Sequence, residues 1–479
     1  MISPETRAKY KVTIGIECHV QLKTKTKLFS AVGNDAREAP ANTLVSHIDF
    51  GLPGALPVLN KEAVHLAARA AFALGTEPQR FSKFDRKHYF YPDLPKGYQI
   101  SQFDEPIIIG GSVAINIGGA VKTIGITRAH MEEDAGKSTH HDGADYSLVD
   151  LNRAGTPLLE IVSEPEIHSA TEAKAYAREL YLRMRYADIS DANLYYGNMR
   201  FDVNVSVSQT DELGVRSETK NLNSFRSVEK AVEYEVDRQI ELLETGERVV
   251  QETRGWNDAK QSTFSQRSKE NADDYRYMPD PDIPPIVLSD EYVAKIKAEM
   301  PQLPDDYREK FKDIGIDAAV IEDIIAVPET AQRVSRILSH SSPEHARRVA
   351  FWTMQPADEE ASDAEELTVD ESQLVKLSEM VSANKLSSTA AKEVLAELLK
   401  NGGDAEKIAA DKNLLQVSDE GEIAKIVAQV LAENASAAED VKNGEMKAIG
   451  FLVGQVMKLS QGKANPSVAQ ELIKKQLGL

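Results

Sequence analysis

The 479-residue chain holds a single cysteine, Cys18. That excludes a disulfide framework within the chain and any multi-cysteine zinc site, so no structural zinc is expected. Aromatic residues make up only 6% of the chain. No apolar run approaches the ~18 residues that cross a bilayer, and no membrane association is expected. The opening Met1-Ile-Ser-Pro-Glu-Thr-Arg lacks the apolar core of a secretory signal, which makes the cytoplasm the expected compartment. Basic residues are in deficit: the net charge of -20 argues against a protein that coats nucleic acid with a broad basic surface. Familiar catalytic signatures are also missing. There is no G-x-S-x-G, H-E-x-x-H or G-x-G-x-x-G, so esterase, zinc-protease and Rossmann readings lose their usual support. Ala135-Gly-Lys-Ser138 falls short of a phosphate loop, because Met131 occupies the position where that loop needs another glycine.

What is present begins with Val12–Leu22. Val12, Ile14, Ile16, Cys18, Val20 and Leu22 alternate with Thr13, Gly15, Glu17, His19 and Gln21. Period-two alternation of this length predicts a half-buried strand. Glu17 and His19 then share its polar face, and a carboxylate beside an imidazole on a rigid strand suits a metal or acid–base site. For the pair alone, a solvated sheet face is the commoner explanation. Cys18 falls on the apolar face and reads as a buried core residue, not a nucleophile.

Up to about Leu288 the chain mixes strands with a few helices. Arg200–Val207 alternates again, with Phe201, Val203, Val205 and Val207 opposite Asp202, Asn204 and Ser206. A helix is predicted over Lys61–Leu74, between an Asn60 N-cap and Gly75. Another follows Ser169-Ala-Thr-Glu172, which fits a capping box. A third carries the stripe Val228, Val232, Val236, Ile240, Leu243. Few crossover helices among many strands predict an α+β domain with mainly antiparallel pairing. After the stiff Pro279–Pro285 segment the pattern turns helical, with runs at 320–338, Leu374–Leu399 and 423–456, the last including Met446. Asp358–Glu371 holds eight acids and no base, and reads as an exposed linker.

Three further segments carry chemistry. His130-Met-Glu-Glu-Asp134 clusters carboxylates near a strand end, and Glu160 sits within the apolar run after Leu158, where a lone carboxylate is costly without a partner. Glu17, His19, Glu133 and Glu160 together would offer three oxygen ligands and one imidazole, a set suited to Mg²⁺ or Mn²⁺. Ser82–Tyr98 interleaves Lys83, Arg86, Lys87 and Lys96 with Tyr89, Phe90 and Tyr91. Such a segment suits phosphate and base contacts, although composition alone equally allows a core strand with a basic rim. From Val441 onward six lysines (442, 447, 458, 463, 474, 475) face two acids, leaving a local charge of +4. That end could meet a polyanion, or could be a solvated helical face.

Seven ordered blocks resemble one known family nearly end to end. They are Ile14-Gly-Ile-Glu-Cys-His-Val-Gln-Leu22, Ser82–Gln102, Thr127–Ser138, Asp150-Leu-Asn-Arg-Ala-Gly-Thr-Pro-Leu158, Lys220-Asn-Leu-Asn-Ser-Phe225, Asp274–Asp282 and Gly450-Phe-Leu-Val-Gly-Gln-Val-Met457. The family is the B subunit of the aspartyl/glutamyl-tRNA(Asn/Gln) amidotransferases. The resemblance implies a mainly antiparallel β cradle domain of glutamine-synthetase-like fold over 1–298, a helical domain over 299–408 and a small helical tail over 409–479 that touches tRNA through Lys447, Lys458, Lys463, Lys474 and Lys475. It implies a carbon–nitrogen ligase: ATP phosphorylates the side-chain carboxylate of mischarged Glu-tRNA(Gln) or Asp-tRNA(Asn), and ammonia then displaces the phosphate. The partners implied are the amidase (glutaminase) A subunit and the small C subunit, in a heterotrimer. The resemblance makes Glu17, His19, Glu133 and Glu160 the metal-binding catalytic positions. It puts Lys87 and Lys96 in the same pocket near the arriving ammonia, with Lys83 and Arg86 as nucleotide-binding candidates. Relatives carrying a four-cysteine zinc site differ from this one-cysteine chain, and Met278 stands where phenylalanine is usual. The alternative within the same complex is a non-catalytic tRNA-binding scaffold; a free-standing carboxylate–amine ligase is the more distant rival.

Overall fold

A computed structural model describes residues 2–141, 143–268, 275–354, 369–416, 420–445, 447–460 and 464–479. By its internal contacts the chain divides into a unit running to Asp306 and a second unit from Tyr307 onward.

The first unit is built on a nine-stranded sheet. Its strand order is Ser262–Ser268, Glu252–Asn257, Ser217–Leu222, Met199–Ser208, Lys11–Gln21, Pro157–Ser163, Ala120–Glu133 and Ile108–Ile109, and Ser112–Ile117 also pairs with Ala120–Glu133. Pairing is antiparallel throughout except between Ser217–Leu222 and Glu252–Asn257. Together with the helical segments that follow, this is an α+β architecture.

The predicted alternating strand lies at the middle of this sheet. Ile14, Ile16, Cys18, Val20 and Leu22 are all at most 1% exposed. Helices Ala170–Tyr186 and Phe225–Glu244 join the same core through Tyr176, Leu180, Val228, Val232, Val236 and Ile240. Burying each large aliphatic side chain is worth roughly 2 kcal/mol. A one-residue slip of the strand would expose the whole set, so the core fixes the register and with it the direction of Glu17 and His19. Cys18 is inert for the same reason, because burial pushes its thiol well above the ordinary range.

Local sequence rules set the helices. The Asn60 side chain accepts from the Glu62 amide at 2.9 Å and starts Lys61–Ala73. The Ser169 hydroxyl accepts from the Glu172 amide at 3.1 Å, whereas the Glu172 carboxylate reaches past the cap to the His168 amide at 2.7 Å. Only half of the predicted capping box therefore closes.

The second unit is helical. One core joins residues of Pro328–His340, Pro343–Thr353, Glu371–Ser382, Ser388–Asn401 and Ala405–Asp411. A separate core joins Glu420–Glu433, Ala435–Lys442, Ala448–Leu459 and Pro466–Leu477. The helical run Leu374–Leu399 falls in two helices, because Asn384 turns left-handed at φ +56° and the Ser387 hydroxyl caps the second. Residues 358–368 of the acidic run and Met446 lie outside the described residues. No helix among the described residues is long and apolar enough to cross a membrane.

Candidate active site on the central sheet

Cross-strand register builds the site. His19 lies opposite Arg200 on one side and Glu160 on the other, and Glu160 lies opposite His130. One residue pair along, Glu17 lies opposite Asp202. Side chains two apart on a strand share a face, so His130 brings Glu132 with it. Among the described residues two groups then have ligand atoms within 4.8 Å of one another: His19, Glu132 and Glu160, and Glu17, Asp202 and Glu218. Glu17 and His19 are neighbours on one strand face, which places the two trios side by side.

In the first trio His19 Nε2 lies 3.3 Å from Glu160 Oε2 and 3.7 Å from Glu132 Oε1. His130 Nε2 approaches Glu160 at 3.6 Å and Glu132 at 3.7 Å. Burial opposes a charge on His19, but the hydrogen bond and charge of Glu160, with Asp202 and Glu132 behind it, raise its pKa to about 9. Burial likewise pushes the Glu160 carboxyl up, yet His130 and His19 outweigh it and hold the group well below the usual carboxylate range.

The second trio lacks imidazoles. Asn204 Nδ2 donates to Glu17 Oε1 at 3.0 Å, and Lys220 Nζ lies 2.8 Å from both Asp202 and Glu218. Burial raises the Glu17 pKa, and the charges of Glu160 and Asp202 raise it further. Both trios are rich in oxygen donors, so their chemistry fits a hard divalent cation such as Mg²⁺ or Mn²⁺.

The other expected site residues divide. Glu133 joins neither trio. Being adjacent to Glu132 it points the opposite way, where it pairs with Lys96 and accepts the Ile100 amide at 2.9 Å. Lys83 is held by Asp104 at 2.9 Å and Asp85 at 3.5 Å, and Arg86 by Asp280 at 2.8 Å and Asp282 at 2.9 Å. Lys87 differs from all of these. Its ammonium lies over the rings of Tyr275, at 5.0 Å, and Tyr89, at 5.7 Å, and makes no hydrogen bond or ion pair among the described residues. An oriented, half-buried cation of this kind is ready for an anionic group of a ligand. Beside His19, Arg200 is fixed by Asp134 at 2.9 Å.

Known proteins match this sequence over nearly its whole length. Residues 12–294 match the GatB/GatE catalytic domain, and residues 337–477 match the GatB domain. The chain is 45% identical over 476 residues to the aspartyl/glutamyl-tRNA(Asn/Gln) amidotransferase B subunit of Desulfotalea psychrophila, covering 98% of this chain and 99% of the relative. The B subunits of Thermoanaerobacter pseudethanolicus and Bdellovibrio bacteriovorus are each 44% identical, over 479 and 477 residues, with the same coverage. The chain belongs to this B-subunit family.

The catalytic-domain match takes in the central strand from Val12 on and every member of both trios. Sequence reading missed Glu132, His130, Asp202, Glu218 and Lys220 as partners of Glu17 and His19. A signal for Asp202 existed, because it alternates with the apolar positions of Arg200–Val207 as Glu17 does in its own strand. Of the expected tRNA-binding lysines, Lys447 is the N-cap of Ala448–Leu459 and Lys458 lies in its last turn, Lys474 and Lys475 lie in the last turn of Pro466–Leu477, and Lys463 lies outside the described residues.

Proposed function

We propose that the polar face of the central sheet activates the side-chain carboxylate of a mischarged tRNA with ATP and delivers it to ammonia. As a B-subunit family member, the chain is part of a tRNA-dependent amidotransferase, a ligase that works with other subunits. The partners we assign are the glutaminase A subunit and the small C subunit, in the cytoplasm. The substrates are Glu-tRNA(Gln), Asp-tRNA(Asn) or both.

A carboxylate reacts with ammonia only after one of its oxygens becomes a leaving group. The carboxylate oxygen bonds to the γ-phosphorus of ATP and ADP departs. Ammonia then attacks the acyl carbon, the carbon–oxygen bond breaks, phosphate leaves and a proton is lost, giving the amide. Such transfers depend on positioning and charge neutralisation more than on a protein nucleophile, in keeping with the absent nucleophile motifs.

The observation that supports this reading is the pair of carboxylate-rich trios beside an unbonded ammonium. His19, Glu132 and Glu160, and Glu17, Asp202 and Glu218, would hold divalent cations, which when bound neutralise phosphate charge. Lys87 supplies a positive contact for a phosphoryl oxygen. Arg200, immobilised by Asp134, adds charge beside His19. Lys96 and Glu133 form a separate ion pair that belongs to neither trio. We assign 1–298 to this chemistry, 299–408 to a helical domain and 409–479 to tRNA contact through the tail lysines.

The test uses the assembled complex with each mischarged tRNA supplied separately. Glu17→Ala and Glu160→Ala should abolish tRNA-dependent phosphate release from ATP while glutamine hydrolysis by the glutaminase partner persists. Retention of amidation in both variants would instead establish the scaffold alternative.

A further inference from the structure

Beyond His19 the polar face of the central strand continues to its last residue, Gln21, roughly 7 Å further along. Gln21 is tied to Asn198 twice. Its amide donates to the Asn198 carbonyl at 2.7 Å, and its side-chain oxygen accepts from Asn198 Nδ2 at 2.9 Å. Asn198 ends the 188–198 loop that leads from helix Ala170–Tyr186 into strand Met199–Ser208. That loop carries two adjacent tyrosines, Tyr195 and Tyr196, which are 82% and 45% exposed. Their ring centroids lie 5.2 Å apart with the planes at 79°, and neither hydroxyl makes a hydrogen bond among the described residues.

The backbone beneath these rings is fixed. The Asn193 side-chain oxygen accepts from the Tyr196 amide at 3.1 Å, and its carbonyl accepts from the Asn198 amide at 2.9 Å. The Ser190 hydroxyl accepts from the Ala192 amide at 2.9 Å, and the buried Ala192 is held left-handed at φ +48°. That conformation is uncommon for a residue with a Cβ and persists only where the surroundings impose it. Arg37 lies over the Tyr196 ring at 5.6 Å, its guanidinium fixed by Asp35 through hydrogen bonds of 2.7 and 2.6 Å. Lys23 is likewise held by Asp188 at 2.9 Å, so the cations here are already paired. Exposed rings on a braced loop, with little free charge around them, make a surface for stacking more than for phosphate attraction.

The matching group comes with the acyl substrate. An aminoacyl group on tRNA is esterified to the terminal ribose of an unpaired 3′ end, so unpaired nucleotides trail behind it wherever it goes. Unpaired bases present flat π faces, which aromatic rings bind with little regard to base identity. We propose that Tyr195 and Tyr196 stack the unpaired bases at the 3′ end of the aminoacyl-tRNA, while the terminal ribose and its acyl group pass Gln21 toward His19. The inference rests on the reading that the acyl group is activated at the two trios, and adds the path by which it arrives.

Fluorescence anisotropy of the assembled complex with labelled, uncharged tRNA(Gln) and tRNA(Asn), each intact or stripped of its unpaired 3′ nucleotides, tests the proposal. The unmodified complex should hold the intact form more tightly. Tyr195→Ala with Tyr196→Ala should weaken binding of the intact form roughly tenfold and leave the stripped form within about twofold. The KM for the mischarged tRNA should rise in step, without a rise in the KM for ATP. Tyr195→Phe with Tyr196→Phe keeps both rings and should stay within about twofold of the unmodified complex. Equal affinity of the unmodified complex for the two forms overturns the assignment, as does unchanged binding of the intact form in the alanine variant or an equal loss for both forms. So does an alanine variant that no longer joins the other subunits on size-exclusion chromatography, which would make the patch a protein interface. If the tyrosines carry the preference for intact tRNA but the unmodified complex releases no tRNA-dependent phosphate from ATP, the stacking assignment stands and the activation reading fails.

Discussion

The two carboxylate trios are adjacent, yet they balance their charge in opposite ways. Around Glu160 the sheet supplies two imidazoles, so the acid is held ionised and His19 is held protonated. Around Glu17 it supplies three carboxylates against one ammonium, and that ammonium is already shared by Asp202 and Glu218. With His19 protonated against Glu132 and Glu160, the first trio keeps a single excess negative charge within the protein. The second carries an excess of negative charge that shows in the raised Glu17 pKa. A group held in an unfavourable charge state is a burden on folding and is best understood as built for a ligand that arrives later. The same logic separates two lysines: Lys220 is part of the structure, whereas Lys87 waits among aromatic rings.

The largest expected effect is a difference in sign. Glu160→Gln keeps the shape but removes the charge that His19 and His130 face, and should destabilise the cation-free protein on the order of 2 kcal/mol. Glu17→Gln keeps an oxygen to accept from Asn204 while removing like-charge repulsion, and should leave stability unchanged or raise it by up to about 1 kcal/mol at neutral pH. The chain's two tryptophans, Trp256 and Trp352, fall one in each unit. Urea unfolding followed by Trp256 fluorescence in a Trp352→Phe background therefore reports the first unit. Equal destabilisation by both substitutions would remove the distinction between the trios.

The next effect is pH-dependent. The folded His19 pKa, about 9, lies above its ordinary 6.5. The stabilisation from its protonated form is therefore complete below about pH 6.5 and is lost as pH rises through about 9, a change on the order of 1–3 kcal/mol. Glu160, with its lowered pKa, has the opposite sense: its contribution is present at neutral pH and lost only in acid. In cation-free buffer the first unit should lose stability between pH 6.5 and 9, and His19→Gln should flatten that slope. Mn²⁺ binding at pH 7.5 should also displace a proton from His19, so its calorimetric heat should vary with the ionisation enthalpy of the buffer. A slope that survives His19→Gln would assign the titration to another group.

How far the contrast was readable in advance follows from what each residue depends on. Alternation alone placed Glu17 and His19 on one face and buried Cys18 on the other, because a period of two is a local property of the chain. Asn60 and Ser169 announced their helices for the same reason. Choosing Glu132 over Glu133 required the register of a 14-residue strand against its neighbour, and adjacent residues there differ by a whole face of the sheet. Glu218 and Lys220 enter through a strand two places away from the central one. Arg86 stands in a basic segment and was a nucleotide-binding candidate, but Asp280 and Asp282, nearly two hundred residues on, neutralise it. Charge state in a folded site is set by such distant partners, which composition does not reveal.

The smallest effect on stability is expected at Lys87, and it isolates function from fold. Burial opposes its charge, but Glu132, Tyr277 and Glu160 nearby outweigh that and raise its pKa, so the group stays an ammonium at neutral pH. With no hydrogen bond or ion pair among the described residues to lose, Lys87→Met keeps the aliphatic stem against the Tyr89 and Tyr275 rings. The change should move the stability of the first unit in urea by no more than about 0.5 kcal/mol. Lys220→Met strips the shared partner from Asp202 and Glu218 and should cost several times as much. If Lys87 meets a transferring phosphoryl oxygen, tRNA-dependent phosphate release in the assembled complex should fall about a hundredfold in Lys87→Met and recover partly in Lys87→Arg. Near-normal phosphate release in Lys87→Met would make the ammonium a passive neighbour of the trios and leave their charge contrast as the only feature tied to catalysis.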